Sequence, residues 1–143
     1  MIKIAIGCDH AAYNEKEKLK YFLRAKGYDL LDLGANSTES VDYPKFGHSV
    51  ANMVANNIAD KGIVICGSGI GISIAANKVK GIRAALCTSS EHAELSRKHN
   101  DANILALGAR VTEYHILEEI TEIWLNTEFE GGRHLKRINM IEI

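Results

Sequence analysis

The chain has 143 residues, a single-domain length that can bury one core without disulfide or metal staples. Hydrophobic residues make up 46% and charged residues 24%, which excludes a disordered chain. Seventeen Lys and Arg against 18 Asp and Glu leave a net charge of −1, which argues against a broad nucleic-acid footprint or a polybasic membrane surface. Three cysteines without C-x-x-C spacing make a disulfide framework and a four-cysteine zinc site poor readings. Reduced thiols in the cytoplasm fit better. The apolar run at the N-terminus is broken at Gly7 and Asp9, too early for a signal peptide. No stretch approaches the ~18 apolar residues of a membrane span.

In chain order, residues 2–7 form a short apolar strand ending at Gly7-Cys8-Asp9-His10. Residues 11–26 are charged, with Leu19, Phe22 and Leu23 at helical spacing. Residues 28–33 read as a second strand stopped by Gly34. A helix over 44–60 begins with Pro44 at its first position and carries Val50, Val54 and Ile58 four apart. The third strand is Ile63-Val64-Ile65-Cys66, continuous and β-branched as a fully buried parallel strand should be. It runs straight into Gly67-Ser68-Gly69-Ile70-Gly71. Residues 83–87 give a fourth strand, 89–99 a helix capped by a serine, and 103–107 a fifth strand closed by Gly108. A helix over 112–125 takes Thr112 as N-cap and turns Ile116, Ile120, Ile123 and Trp124 inward. Gly131-Gly132-Arg133-His134 opens a short final helix.

Alternating strands and helices predict βαβ units and an α/β fold with a parallel five-stranded sheet covered on both faces. The doubly wound order 2-1-3-4-5 is the expectation. Its order reverses between the first and third strands, and ligands bind outside the carboxyl ends of strands at such a switch point. Asp9, His10, Cys66 and the glycine loop all fall there.

The loop is not a dinucleotide fingerprint. G-x-G-x-x-G from Gly67 needs glycine at Ile72, and from Gly69 at Ile74. There is no Walker-type ending, no arginine six positions after Cys66, and no G-x-S-x-G around Ser68. Glycine-rich backbone at a helix start still presents N–H groups and positive potential to an oxyanion. The same field favours a Cys66 thiolate. Such a thiolate suits covalent attack or proton abstraction next to a carbonyl. A cysteine ending an apolar strand is ordinarily a packing residue, and Cys8 and Cys87 read that way. The loop and the switch point move Cys66 to the functional reading.

With these residues in view, the chain resembles the type B ribose-5-phosphate isomerases, a family that also includes galactose-6-phosphate and allose-6-phosphate isomerases. The resemblance covers nearly the whole chain. It is carried by Gly7-Cys8-Asp9-His10, by Asp42-Tyr43-Pro44, by the block from Ile65-Cys66-Gly67-Ser68-Gly69 through Ala76-Asn77-Lys78, by Ser96-Arg97-Lys98-His99-Asn100-Asp101, and by Glu130-Gly131-Gly132-Arg133-His134. It implies a Rossmann-like three-layer α/β/α sandwich and reversible aldose–ketose isomerisation of a sugar phosphate, with neither metal nor organic cofactor. By resemblance, Cys66 moves the proton between C1 and C2, and His99 opens the sugar ring. Gly67, Ser68, Gly69, Ile70 and Gly71 line the oxyanion hole, with the Ser68 hydroxyl assisting. Asp9 and His10 hold the sugar, Asn100 contacts oxyanion or sugar, and Arg110, Arg133 and Arg137 hold phosphate or sugar. Many members carry Thr at the Ser68 position. Another branch uses a glutamate base and lacks this cysteine.

Plainer readings stand beside these. Asp9 can cap the following helix, His99 can be a solvated residue favoured by the helix dipole, and Tyr43 can border the sugar or pack. Arg133, His134, Lys136 and Arg137 can be a solvated face, although an arginine fork matches phosphate bidentately. The resemblance also implies a homodimer or a tetramer, with active sites shared between subunits and the tail over about 127–143 packed on a neighbour. A small-molecule sugar phosphate is the expected partner; nucleic acid and membrane are not. Ribose 5-phosphate is the leading substrate. A six-carbon sugar phosphate, or a non-catalytic sugar-phosphate-binding regulator on the same fold, are the alternatives.

Overall fold

The apolar runs form five parallel strands in the computed structural model, which describes all 143 residues. They are β1 (Lys3–Cys8), β2 (Asp29–Asp32), β3 (Lys61–Cys66), β4 (Ala84–Leu86) and β5 (Ile104–Gly108). The helices are α1 (Tyr13–Ala25), α2 (Tyr43–Ala55), α3 (Ile70–Asn77), α4 (Ser90–Asn100), α5 (Tyr114–Asn126) and α6 (Arg133–Asn139). Helices α2 and α3 pack together on one face of the sheet. Helices α1, α4 and α5 lie on the other, and α6 rests on α4. This is the expected three-layer α/β fold.

The strand order is β2-β1-β3-β5-β4, not the expected 2-1-3-4-5. Burial explains the exchange. With β5 beside β3, Ile104, Leu105 and Leu107 are wholly buried. Each such side chain contributes roughly 1.5–3 kcal/mol on burial. β4 offers only Ala84, Ala85 and Leu86, all half-buried, and takes the edge. Its outward-facing residue Ala84 is bracketed by one side chain. The Asn77 carboxamide donates to the Ala84 carbonyl at 3.0 Å and accepts the Ala84 N–H at 2.7 Å.

Two helix boundaries also differ from expectation. α2 ends at Ala55 rather than 60, because Asn57 adopts φ 58° and the chain closes a Schellman turn. In that turn the Ile58 N–H donates to Met53 O at 2.9 Å and the Asn57 N–H to Val54 O at 3.1 Å. Val50 and Val54 are buried as expected, and Ile58 is left exposed. α5 starts at Tyr114 with Glu113 as N-cap, so Thr112 does not cap it. The Thr112 N–H is already used by Gly108 O at 3.1 Å in the turn leaving β5. Ile120 and Trp124 face the core as expected. Leu117, Thr121 and Leu125 are also buried, and Ile116 and Ile123 pack only partly. Ser89 does cap α4, accepting the His92 N–H at 3.2 Å.

Candidate active site

β1 and β3 are neighbours in register, so their carboxyl ends present Asp9 and Cys66 side by side. The Asp9 N–H donates to Ile65 O at 3.2 Å, and the Asp9 carboxylate accepts the Ala11 N–H at 3.1 Å, capping the turn His10–Ala12. His10 is held by its Nδ1, which lies 3.1 Å from the Val41 N–H. The segment after β2 is tied down from below. Lys16, wholly buried, donates at 2.7 Å to both Ala35 O and the Asp32 carboxylate. Burial alone would raise the Asp32 carboxyl, but hydrogen bonds from Lys16, Lys20 and the Gly34 N–H hold it below its ordinary range.

The Cys66 sulfur accepts the Gly69 N–H at 3.2 Å. Gly69 has φ 80°, a left-handed conformation that turns the backbone from β3 into α3. The Ser68 hydroxyl accepts the Ile70 N–H at 3.1 Å. That arrangement leaves the Gly71 and Ile72 N–H groups without an acceptor in the chain, as first-turn donors of a helix are. The Tyr43 ring lies across Gly71, and a Cβ on Gly71 would stand 2.5 Å from it, so any side chain there would push the ring aside. Arg110 lies along Gly67 from the end of β5, its backbone N–H donating to Gly67 O at 2.9 Å. Asp9, His10, Cys66, the loop to Gly71 and Arg110 therefore meet at one end of the sheet.

His99, Asn100, Arg133 and Arg137 do not join them within the chain. α4 runs back against the strand direction, so His99 and Asn100 reach the amino ends of the strands. There Asn100 O accepts from Arg83 Nε at 2.9 Å, just before β4. The five residues of β5 separate the two ends by about 16 Å. His99 stacks on His134 with ring centroids 4.4 Å apart. Glu130 lies beside both, and Arg133 and Arg137, one helical turn apart on α6, are exposed. The largest cavity, about 610 Å³, opens at this same end, beside Asn100 and the C-terminal residues Ile141 to Ile143. None lies at the Cys66 loop, which is open surface in a single chain.

The profile of a family described as Ribose/Galactose Isomerase matches residues 4–141. The chain belongs to this family. It is 46% identical to ribose-5-phosphate isomerase B of Escherichia coli (strain K12) over 141 residues, 99% of this chain and 95% of that protein. The structure of Clostridium thermocellum ribose-5-phosphate isomerase B superposes with a TM-score of 0.97 at 55% identity, covering 98% of this chain and 95% of that one. That of the Thermotoga maritima ribose 5-phosphate isomerase superposes at 0.96 and 48%, covering 99% and 97%.

Membership of this isomerase family sharpens the contrast among the thiols. Burial pushes the Cys8 thiol up to about 11 against the opposing pull of Lys16. Burial likewise pushes Cys87 up to about 11. Neither sulfur takes a hydrogen bond from the glycine loop. Two residues that sequence reasoning left without a role, Glu130 and His134, prove to be the neighbours of His99. Both stand in the Glu130-Gly131-Gly132-Arg133-His134 block, but Glu130 precedes α6 and two left-handed glycines separate them, so no helical spacing announces the pairing. No helix of the protein is long and apolar enough to cross a membrane.

Proposed function

We propose that the protein interconverts ribose 5-phosphate and ribulose 5-phosphate through an enediolate. The observation that carries this reading is the Cys66 sulfur held by the Gly69 N–H beside the unclaimed N–H groups of Gly71 and Ile72. The Cys66 thiolate takes the proton from C2 of the open-chain aldose. The electron pair left behind spreads onto the carbonyl oxygen, which meets the loop N–H groups. As a proton passes from the C2 hydroxyl to the C1 oxygen, the thiol returns its own proton to C1, giving the ketose. Each positioned donor of this kind is worth ~10² to 10³ in rate, because it meets charge that exists only in the transition state. The Ser68 hydroxyl, its oxygen engaged with Ile70, keeps its own proton free for the substrate.

His99 opens the ring, protonating the ring oxygen as the anomeric hydroxyl proton passes to water, from which His99 is recharged. Since His99 and Cys66 occupy opposite ends of one sheet, the working site takes Asp9, His10, Cys66, the loop and Arg110 from one subunit. His99, Asn100, Arg133 and Arg137 come from a second copy, so the unit is a homodimer. The tail over about 127–143 packs against the neighbouring subunit, with α6 resting on its own α4 and Arg133 and Arg137 reaching the neighbour's substrate phosphate.

The test is Cys66→Ala, assayed in both directions on ribose 5-phosphate and ribulose 5-phosphate. Loss of a positioned acid–base group predicts a roughly 10² to 10⁴-fold fall in kcat with an unchanged melting temperature. Near-native turnover would overturn the cysteine-base reading. Comparing kcat/KM on ribose 5-phosphate, allose 6-phosphate and galactose 6-phosphate settles the sugar; a six-carbon preference would replace the pentose assignment.

A further inference from the structure

Helix α4, the strap leading to α6, and α6 itself bring His99, Glu130 and His134 together. One ligand atom from each lies within 4.8 Å of the other two. The strap is fastened along α4 at two points. Arg97 Nε donates to Thr127 O at 3.0 Å, and the Glu130 N–H donates to Lys98 O at 3.1 Å. The His134 side chain is only 9% exposed, and its Nε2 faces the Glu130 carboxylate at 3.4 Å. His99 Nε2 faces the same oxygen at 4.0 Å.

We propose that His99, Glu130 and His134 form a binding site for a zinc-type divalent cation, and that filling it inhibits the enzyme. Two imidazoles and one carboxylate are the ligand types zinc takes, at ~2.0–2.2 Å. A tetrahedron of that size has edges of about 3.3 Å, so the His134–Glu130 separation already fits, while the half-exposed His99 must move in and turn out of its stack on His134 so that both ring nitrogens aim at the ion. Three protein ligands leave a fourth position for water or a sugar-phosphate oxygen. The side-chain exposure of His99 and Glu130, 41% and 50%, gives the ion a way in. A bound cation occupies the His99 nitrogen that ring opening requires. The inhibitory half of the proposal rests on the function proposed above; the binding half does not.

The experiment is equilibrium dialysis of the full-length protein against Zn²⁺, with Co²⁺ absorption as a second readout and turnover measured in parallel. Wild type and Cys66→Ala are each expected to hold one ion per chain, with Co²⁺ bands of four-coordinate geometry. Glu130→Gln, which keeps the side-chain volume at a half-exposed position, is expected to lose at least tenfold in affinity at unchanged melting temperature. Zinc should lower wild-type turnover at least tenfold, reversibly with EDTA, and lower that of Glu130→Gln far less, each against its own metal-free rate. Failure of wild type to bind, retained affinity in Glu130→Gln, or loss of the ion in Cys66→Ala would overturn the site. Binding with unchanged turnover would overturn the inhibition. Binding by a protein that does not isomerise ribose 5-phosphate would leave the site standing and the proposed function fallen.

Discussion

Cys8, Cys66 and Cys87 are all buried, yet only one sulfur meets a backbone N–H at a helix start. Thiolates, not thiols, react with alkylating agents. With Cys8 and Cys87 both at about 11, only about 0.1% of each is thiolate at pH 8. Brief treatment of the native protein with iodoacetamide at pH 8, read by peptide mass spectrometry, should therefore modify Cys66 first and leave the other two intact until the protein is unfolded. Labelling of Cys8 at a rate comparable to Cys66 would refute this. The distinction was legible in the sequence, because only Cys66 runs into Gly67-Ser68-Gly69. The neighbours of His99 were not, because Glu130 and His134 lie more than thirty positions on, and a stacked ring pair leaves no local pattern.

At the scale of elements, the turn from β3 into α3 depends on Gly69. A Cβ there would stand 2.5 Å from Leu86 Cδ1 and 2.9 Å from the Leu107 carbonyl carbon, at a backbone φ of 80°. The left-handed conformation alone costs a side chain roughly 1–2 kcal/mol. The contact with Leu107 is with backbone and cannot be relieved by a rotamer change. Gly69→Ala should therefore destabilise the protein by about 2 kcal/mol or more, measured as a fall in urea midpoint at constant slope. Isomerase activity should fall with it, since the N–H that holds Cys66 moves. A variant of native stability would show that the loop is softer than its geometry. Strand and helix positions were legible from periodicity and punctuation. The exchange of β4 and β5 was not, because chain order says nothing about which strand buries more, and that comparison needs the whole sheet. The end of α2 was hidden for a related reason: apolar spacing continued to Ile58, while Asn57 had already turned the chain.

For the whole molecule, the decisive feature is that Cys66 lies at the carboxyl ends of the strands and His99 toward their amino ends, which supports the proposed shared site. A shared site makes a sharp prediction about mixtures. Cys66→Ala and His99→Asn homodimers should each be nearly inactive. When the two are unfolded together and refolded, half the dimers pair unlike chains and each of these holds one intact site, so about a quarter of wild-type activity should return. No recovery on mixing would rule out sites built from two subunits. The net charge of −1 argued against charged macromolecular partners, and it concealed Arg133 and Arg137 one turn apart on an exposed face. An average over the chain cannot report such a local concentration. The edge strand bears on assembly in another way. A sheet that ends in a bare strand invites a stranger's strand to add on, the first step toward fibrous aggregates. In this molecule the Asn77 carboxamide occupies the Ala84 donor and acceptor, so a single side chain plays the part of a sixth strand one residue long. Growth of the sheet is thereby blunted at its β4 margin.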